Sequence, residues 1–125
     1  MKEKDAFVER LKKRTKKFGV DTILFCDSLK KNKASLVIAN QLIKSATSAG
    51  ANYRAACRSR SQDEFYNKIY IVAEATDESV FWLEVIKDAG LSKNPVKLEE
   101  LLKDGTEILK IVTRSKDTTY KNIHS

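Results

Sequence analysis

The sequence predicts an all-α fold, an antiparallel up-down-up-down four-helix bundle, and three observations carry that prediction. Four segments place apolar residues three and four positions apart, the period of a helix face. Short polar breaks separate them, and such brief connections make consecutive helices antiparallel neighbours. With one proline and four glycines, nothing reads as an alternating strand bounded by turns. A chain of 125 residues is one domain with one core. The bundle is expected over residues 1–115, with helices at about 4–30, 34–58, 62–89 and 95–114.

In helix 1 the inward residues are Leu11, Thr15, Phe18, Thr22, Phe25 and Leu29. Their spacing is the seven-residue repeat of helices packed nearly antiparallel. Gly19 lies within it and weakens it by about 1 kcal/mol relative to Ala. The opposite face holds Arg10, Lys12, Lys13, Arg14, Lys16 and Lys17, either a solvated face or a stripe that meets phosphates. Lys30-Lys31-Asn32-Lys33 is the first connection, and Asn32 can cap either neighbour.

Helix 2 is expected to turn Val37, Ile38, Gln41, Leu42, Ser45, Ser48, Ala49, Asn52 and Ala56 inward. Ser45, Ser48, Ala49 and Asn52 share one face, and small side chains there admit a close neighbour. Asn52 is the polar member; if buried, its amide needs partners. A structural role for it outweighs a ligand site.

Ser61 with Glu64 forms a capping box that starts helix 3, and Gly90 stops it. At about 1.5 Å per residue this helix is about 40 Å long. Phe65, Ile69, Val72, Thr76, Leu83 and Ile86 make one stripe. Tyr66, Tyr70, Ala73, Phe81, Trp82 and Val85 add apolar surface beyond it, more than one bundle interior needs. Tyr70, Phe81 and Trp82 are therefore the expected oligomer interface, since such a patch on a monomer invites aggregation. Glu74 and Glu78 share a face one turn apart. Di-metal bundles use Glu-x-x-His, and the single histidine, His124, lies far along the chain. Ion pairs of Glu74 and Glu78 with a neighbouring helix are the expected structural role, and no metal, cofactor or catalytic residue is expected.

Asn94 caps helix 4 and Pro95 opens it, where a missing N–H costs nothing. Leu98, Leu101, Gly105, Ile108 and Val112 repeat the inward spacing, with Leu102 and Leu109 on its flank. Residues 116–125 lack an apolar period and are expected to form a mobile tail.

The densest stretch is Ser45-Ala46-Thr47-Ser48-Ala49-Gly50-Ala51-Asn52-Tyr53-Arg54, followed by Arg58-Ser59-Arg60-Ser61, Phe65, Ala73-Glu74-Ala75, Asp77-Glu78-Ser79 and Trp82-Leu83-Glu84. It resembles the bacterial four-helix-bundle proteins encoded in intervening sequences of 23S rRNA genes. The accessory protein of diversity-generating retroelements is similar. The resemblance spans roughly residues 7–113, and it implies rings of five and association with structured RNA genes or with a reverse transcriptase. One departure is Ala55, where many relatives carry Glu; any role of that carboxylate is missing here.

Lys and Arg number 24 against 17 Asp and Glu, a net charge of +7. A basic excess on a small domain points to a polyanion, and charge alone is also compatible with no such partner. Arg54, Arg58 and Arg60 surround the turn between helices 2 and 3. Arg54 and Arg58 lie one turn apart, and their planar guanidinium groups suit phosphate. Arg58 could instead pair with Asp63 or Glu64 and fix the turn. Two functions compete: a non-enzymatic, homo-oligomeric nucleic-acid-binding bundle, taking RNA or DNA through these arginines and the helix 1 stripe, or a protein-interaction scaffold whose basic surface docks an acidic partner, or an accessory subunit that docks, for example, the reverse transcriptase that the resemblance implies. No glycine-rich phosphate loop and no nucleophile–base pair supports an enzyme. Binding is expected to depend on phosphates with little base preference, for want of an exposed aromatic platform.

Cys26 and Cys57 are the two cysteines and fall on helical stripes, which fits a reduced, cytoplasmic chain. Met1-Lys2-Glu3-Lys4-Asp5 has no apolar run behind it, so no signal peptide is expected. No stretch is apolar enough to span a membrane.

Overall fold

The computed structural model describes residues 3–125. Four helices follow one another: α1 (Glu3–Cys26), α2 (Lys33–Ala56), α3 (Gln62–Asp88) and α4 (Pro95–Ile123). Each packs along its neighbour in the chain, and α4 closes the bundle on α1 over a smaller area. The core is one cluster in which Phe18, Leu42, Ile69, Leu83, Ile86, Leu101 and Ile108 are fully buried.

The starts and stops follow from local chemistry. Asn32, Ser61 and Asn94 each accept a hydrogen bond from the backbone N–H three residues on, capping α2, α3 and α4. Beyond α3, Leu91 N donates to Ile86 O (3.0 Å) and Gly90 N to Lys87 O (3.1 Å). That paired arrangement needs a left-handed residue, supplied by Gly90 at φ 65°.

Helix α1 is shorter than its apolar spacing suggests. It ends at Cys26 rather than near Lys30, because the Ser28 hydroxyl bonds Phe25 O and the next residues leave to pair with the α3–α4 connection. Lys30 N donates to Leu91 O (2.9 Å) and Lys93 N to Ser28 O (3.1 Å), so the two loops at this end form a minimal antiparallel bridge between Leu29 and Ser92. Leu29 is still buried, reached by a turn instead of a helix.

Helix α2 is rotated from the expected inward set. Val37 and Gln41 are exposed, whereas Ser35, Ala46 and Tyr53 are buried. The helix faces α1 and α3 together, and its small residues serve both. A Cβ on Gly50 would lie 3.2 Å from Thr15 O, so α1 and α2 approach backbone to backbone there. On the other side Ser45 Oγ and Ser79 Oγ are 2.8 Å apart, which fixes the register of α2 against α3.

The largest correction concerns the C-terminal residues. Residues 116–125, expected as an irregular tail, continue α4 to Ile123, and His124 caps it. The inward spacing runs on through Ser115, Thr119 and Ile123, all half-buried.

Candidate functional site

Basic residues gather at one end of the bundle. The end that holds the α2–α3 turn comprises residues 3–16, 50–73 and 112–125, with 13 Lys and Arg against 6 Asp and Glu. The remaining described residues, 17–49 and 74–111, hold 10 against 11. The whole excess of the described residues therefore sits in one half.

This follows from register. Gly50 lies on Thr15 and Lys16, and Gly19 lies on Ala46 and Thr47. One further turn along both helices places Arg54 level with Lys12, with Arg58 beyond it. Cys57 lines the same surface depression as Arg10, Lys12 and Lys13. The two groups singled out from the sequence, on helix 1 and around the turn, thus adjoin on the α1–α2 side.

Not all of these charges are equally available. Arg14 is committed to α4: its guanidinium reaches Asp104 at 2.6 Å and Glu107 at 2.5 Å. That bond holds the Glu107 carboxyl below its ordinary range. Lys17 pairs with Asp21 (2.5 Å), and the hydrogen bond raises its ammonium above the ordinary lysine value. Lys12 pairs with Glu9 (3.0 Å). Arg10, Lys13, Lys16, Arg54, Arg58 and Arg60 are exposed and make no ion pair among the described residues. Arg58 in particular pairs with neither Asp63 nor Glu64; Glu64 instead reaches back to the Arg60 N–H (3.5 Å).

Of the structural polar residues, the two glutamates behave differently from expectation. Asn52 is half-buried and donates to Ser48 O and Oγ, both at 3.0 Å, so its amide is satisfied within its own helix. Glu74 and Glu78 are exposed and form no ion pair among the described residues. Glu78 instead accepts the Trp82 indole N–H at 3.1 Å, four residues along the same helix. Glu74 borders the α3–α4 groove beside Lys116, but that ammonium is drawn to the Tyr70 ring and to Asp117 (3.8 Å). Among the described residues no cluster of His, Cys, Asp and Glu is placed to hold a metal.

The sequence reading missed an aromatic cluster at the basic end. The extension of α4 brings Tyr120 to Tyr66 (ring centroids 5.8 Å) and His124 onto Tyr120 (4.2 Å), while Tyr66 meets Tyr70 edge-on (6.0 Å). Lys116 Nζ lies 5.1 Å above the Tyr70 ring. Tyr70 is thus engaged within its own chain, though 43% exposed; Phe81, 53% exposed, packs edge-on against half-buried Trp82. The signal for the extension was the continued three-and-four spacing after Val112, hidden because Ser115 and Thr119 are polar.

No described helix is long and apolar enough to cross a membrane. A family model described as 23S rRNA-intervening sequence protein matches residues 10–114. No curated protein matches. Among solved structures, a protein of unknown function from the S23 ribosomal protein family of Bacteroides thetaiotaomicron VPI-5482 is 28% identical, with a TM-score of 0.73 over 85% of this chain and 97% of that one.

Proposed function

The chain belongs to the family of 23S rRNA-intervening sequence proteins, and from that premise we propose that it is a non-enzymatic nucleic-acid-binding bundle that engages phosphates with its basic end. The observation that carries this reading is the polarity of charge: a net excess confined to one half, with nine exposed cations on it that make no ion pair among the described residues. A surface of that kind attracts a polyanion at long range and releases counterions when it binds. Arginines dominate around the α2–α3 turn, and a guanidinium fork matches two phosphate oxygens.

Self-association belongs to the same proposal. Val20, Ile23, Leu24, Leu36, Val37, Phe81 and Val96 are exposed, and all lie in the half without a basic excess. Burial of that surface between copies leaves the basic ends free, and several such ends within one assembly convert weak attachments into avid binding.

The test is a titration of structured RNA and of duplex DNA at low and moderate salt. Binding is expected to weaken steeply with salt. Joint replacement Arg54→Ala, Arg58→Ala and Arg60→Ala should lower both the affinity and the slope of its salt dependence, by about 0.9 for each duplex DNA phosphate no longer neutralised. Charge reversal at Arg10, Lys13 and Lys16 should act in the same direction. Absence of binding to either nucleic acid at low salt sinks the proposal and directs attention to an acidic protein partner. Binding untouched by both variants keeps the function and moves the site.

A further inference from the structure

We infer that the Tyr66–Tyr70–Tyr120–His124 cluster is a stacking platform for the unpaired bases of a single-stranded RNA segment, an inference that rests on the phosphate-binding role of the same end. Four aromatic rings from α3 and α4 form a continuous row with centroid steps of 6.0, 5.8 and 4.2 Å. Tyr70 and Tyr120 stay 43% and 50% exposed, and His124 is exposed as well. A row that only docked α4 on α3 would gain most by burying its faces, as the core does with Tyr53, which is 3% exposed.

The distribution of exposed apolar side chains points the same way. In the basic half they are Phe7, Tyr70, Ile71 and Tyr120, aromatic but for one. In the half without a basic excess they are aliphatic but for Phe81. Aliphatic surface suits another protein; a π face beside cations suits a nucleobase and its phosphate. The cations are present: Lys116 lies over Tyr70, Lys121 follows Tyr120 in the chain, and Arg58 and Arg60 stand at the turn that opens the helix bearing Tyr66 and Tyr70. Every base has a π face, so the platform favours unpaired over paired strands without reading sequence. This replaces the expectation of purely phosphate-directed binding.

The test separates bases from phosphates. Wild-type protein is titrated with an oligouridine of about 12 nucleotides, within the site size of single-strand grooves, and with an abasic ribose–phosphate strand of the same length. The intact strand is expected to bind about tenfold tighter. Tyr120→Leu with His124→Leu should shrink that difference to less than about twofold, while Tyr120→Phe preserves it, since a phenyl ring still stacks. The triple arginine variant should weaken both strands alike. Equal affinity of wild type for the two strands, with salt-sensitive binding of duplex RNA intact, overturns the platform and leaves phosphate binding standing. Loss of all nucleic-acid binding at low salt removes both. The abasic comparison uses unaltered protein, so it decides the matter even if a leucine variant loosens the end of α4.

Discussion

Three threonines occupy core positions, and their hydroxyls have different fates. Thr15 and Thr76 donate to the carbonyl four residues earlier, at 2.9 and 2.7 Å. Thr22 Oγ1 is buried with no hydrogen-bond partner among the described residues. Thr22→Val keeps the shape and removes an unpaired polar atom, so it should stabilise the protein by about 1 kcal/mol in a urea melt. Gly50→Ala should act oppositely. Ala is worth about 1 kcal/mol over Gly inside a helix, but here its methyl would meet Thr15 O at 3.2 Å. That carbonyl is built into α1 and cannot swing aside, so a net loss of about 1–2 kcal/mol is expected from overpacking. Burial pushes the Cys26 thiol up to about 11, from an ordinary 9.0. The unfolded chain therefore releases this proton first as pH rises, and stability should fall between about pH 9 and 11. Cys26→Ala should flatten that decline in pH-dependent denaturant melts, and the folded thiol should resist thiol reagents at pH 8.

At the level of elements, helix number, order and caps were legible in the sequence because each rests on local chemistry. The three N-caps, the left-handed stop at Gly90 and the inward stripe of α1 all appear where their residue types indicate. What was not legible depended on neighbours. The α1 stripe reaches Leu29, yet loop pairing ends the helix at Cys26. The α2 face is set by two partners at once, so Val37 turns out and Tyr53 turns in. The end of α4 was lost because polar Ser115 and Thr119 occupy inward positions. A proline there gives a direct check. Thr118→Pro removes a backbone donor and clashes with the preceding turn, costing the final helix about 3 kcal/mol. Amide exchange of residues 119–123 should accelerate strongly while the core amides of α3 keep their protection.

For the whole molecule, the charged residues could be counted from the sequence but not placed at one end. That placement required the register between helices, which small residues such as Gly50 and Ser45 set through backbone proximity and a single hydrogen bond. The same register leaves Arg14 spent on Asp104 and Glu107, a pairing between residues 90 and 93 apart that no local pattern announces. Self-association is the prediction that belongs at this scale. Sedimentation velocity at micromolar concentration should show an assembly larger than a monomer. Leu24→Glu with Val37→Glu should shift it toward monomer without loss of helicity, because both side chains are more than half exposed in the single chain. A monomeric wild type would end that proposal.

The bridge between Leu29 and Ser92 has a mechanical consequence. It ties together the two loops at the end away from the basic excess, whereas the opposite end has one tight turn and no comparable tie between α1 and α4 among the described residues. The bundle is thus tied loop to loop at one end, and at the other is joined by the α2–α3 turn and the contact of Tyr120 with Tyr66. Amide exchange along α1 is therefore expected to quicken from the bridged end toward Arg10. The end without that bridge is the one that carries the cations and the aromatic row, where a ligand of irregular shape gains most from a surface that yields.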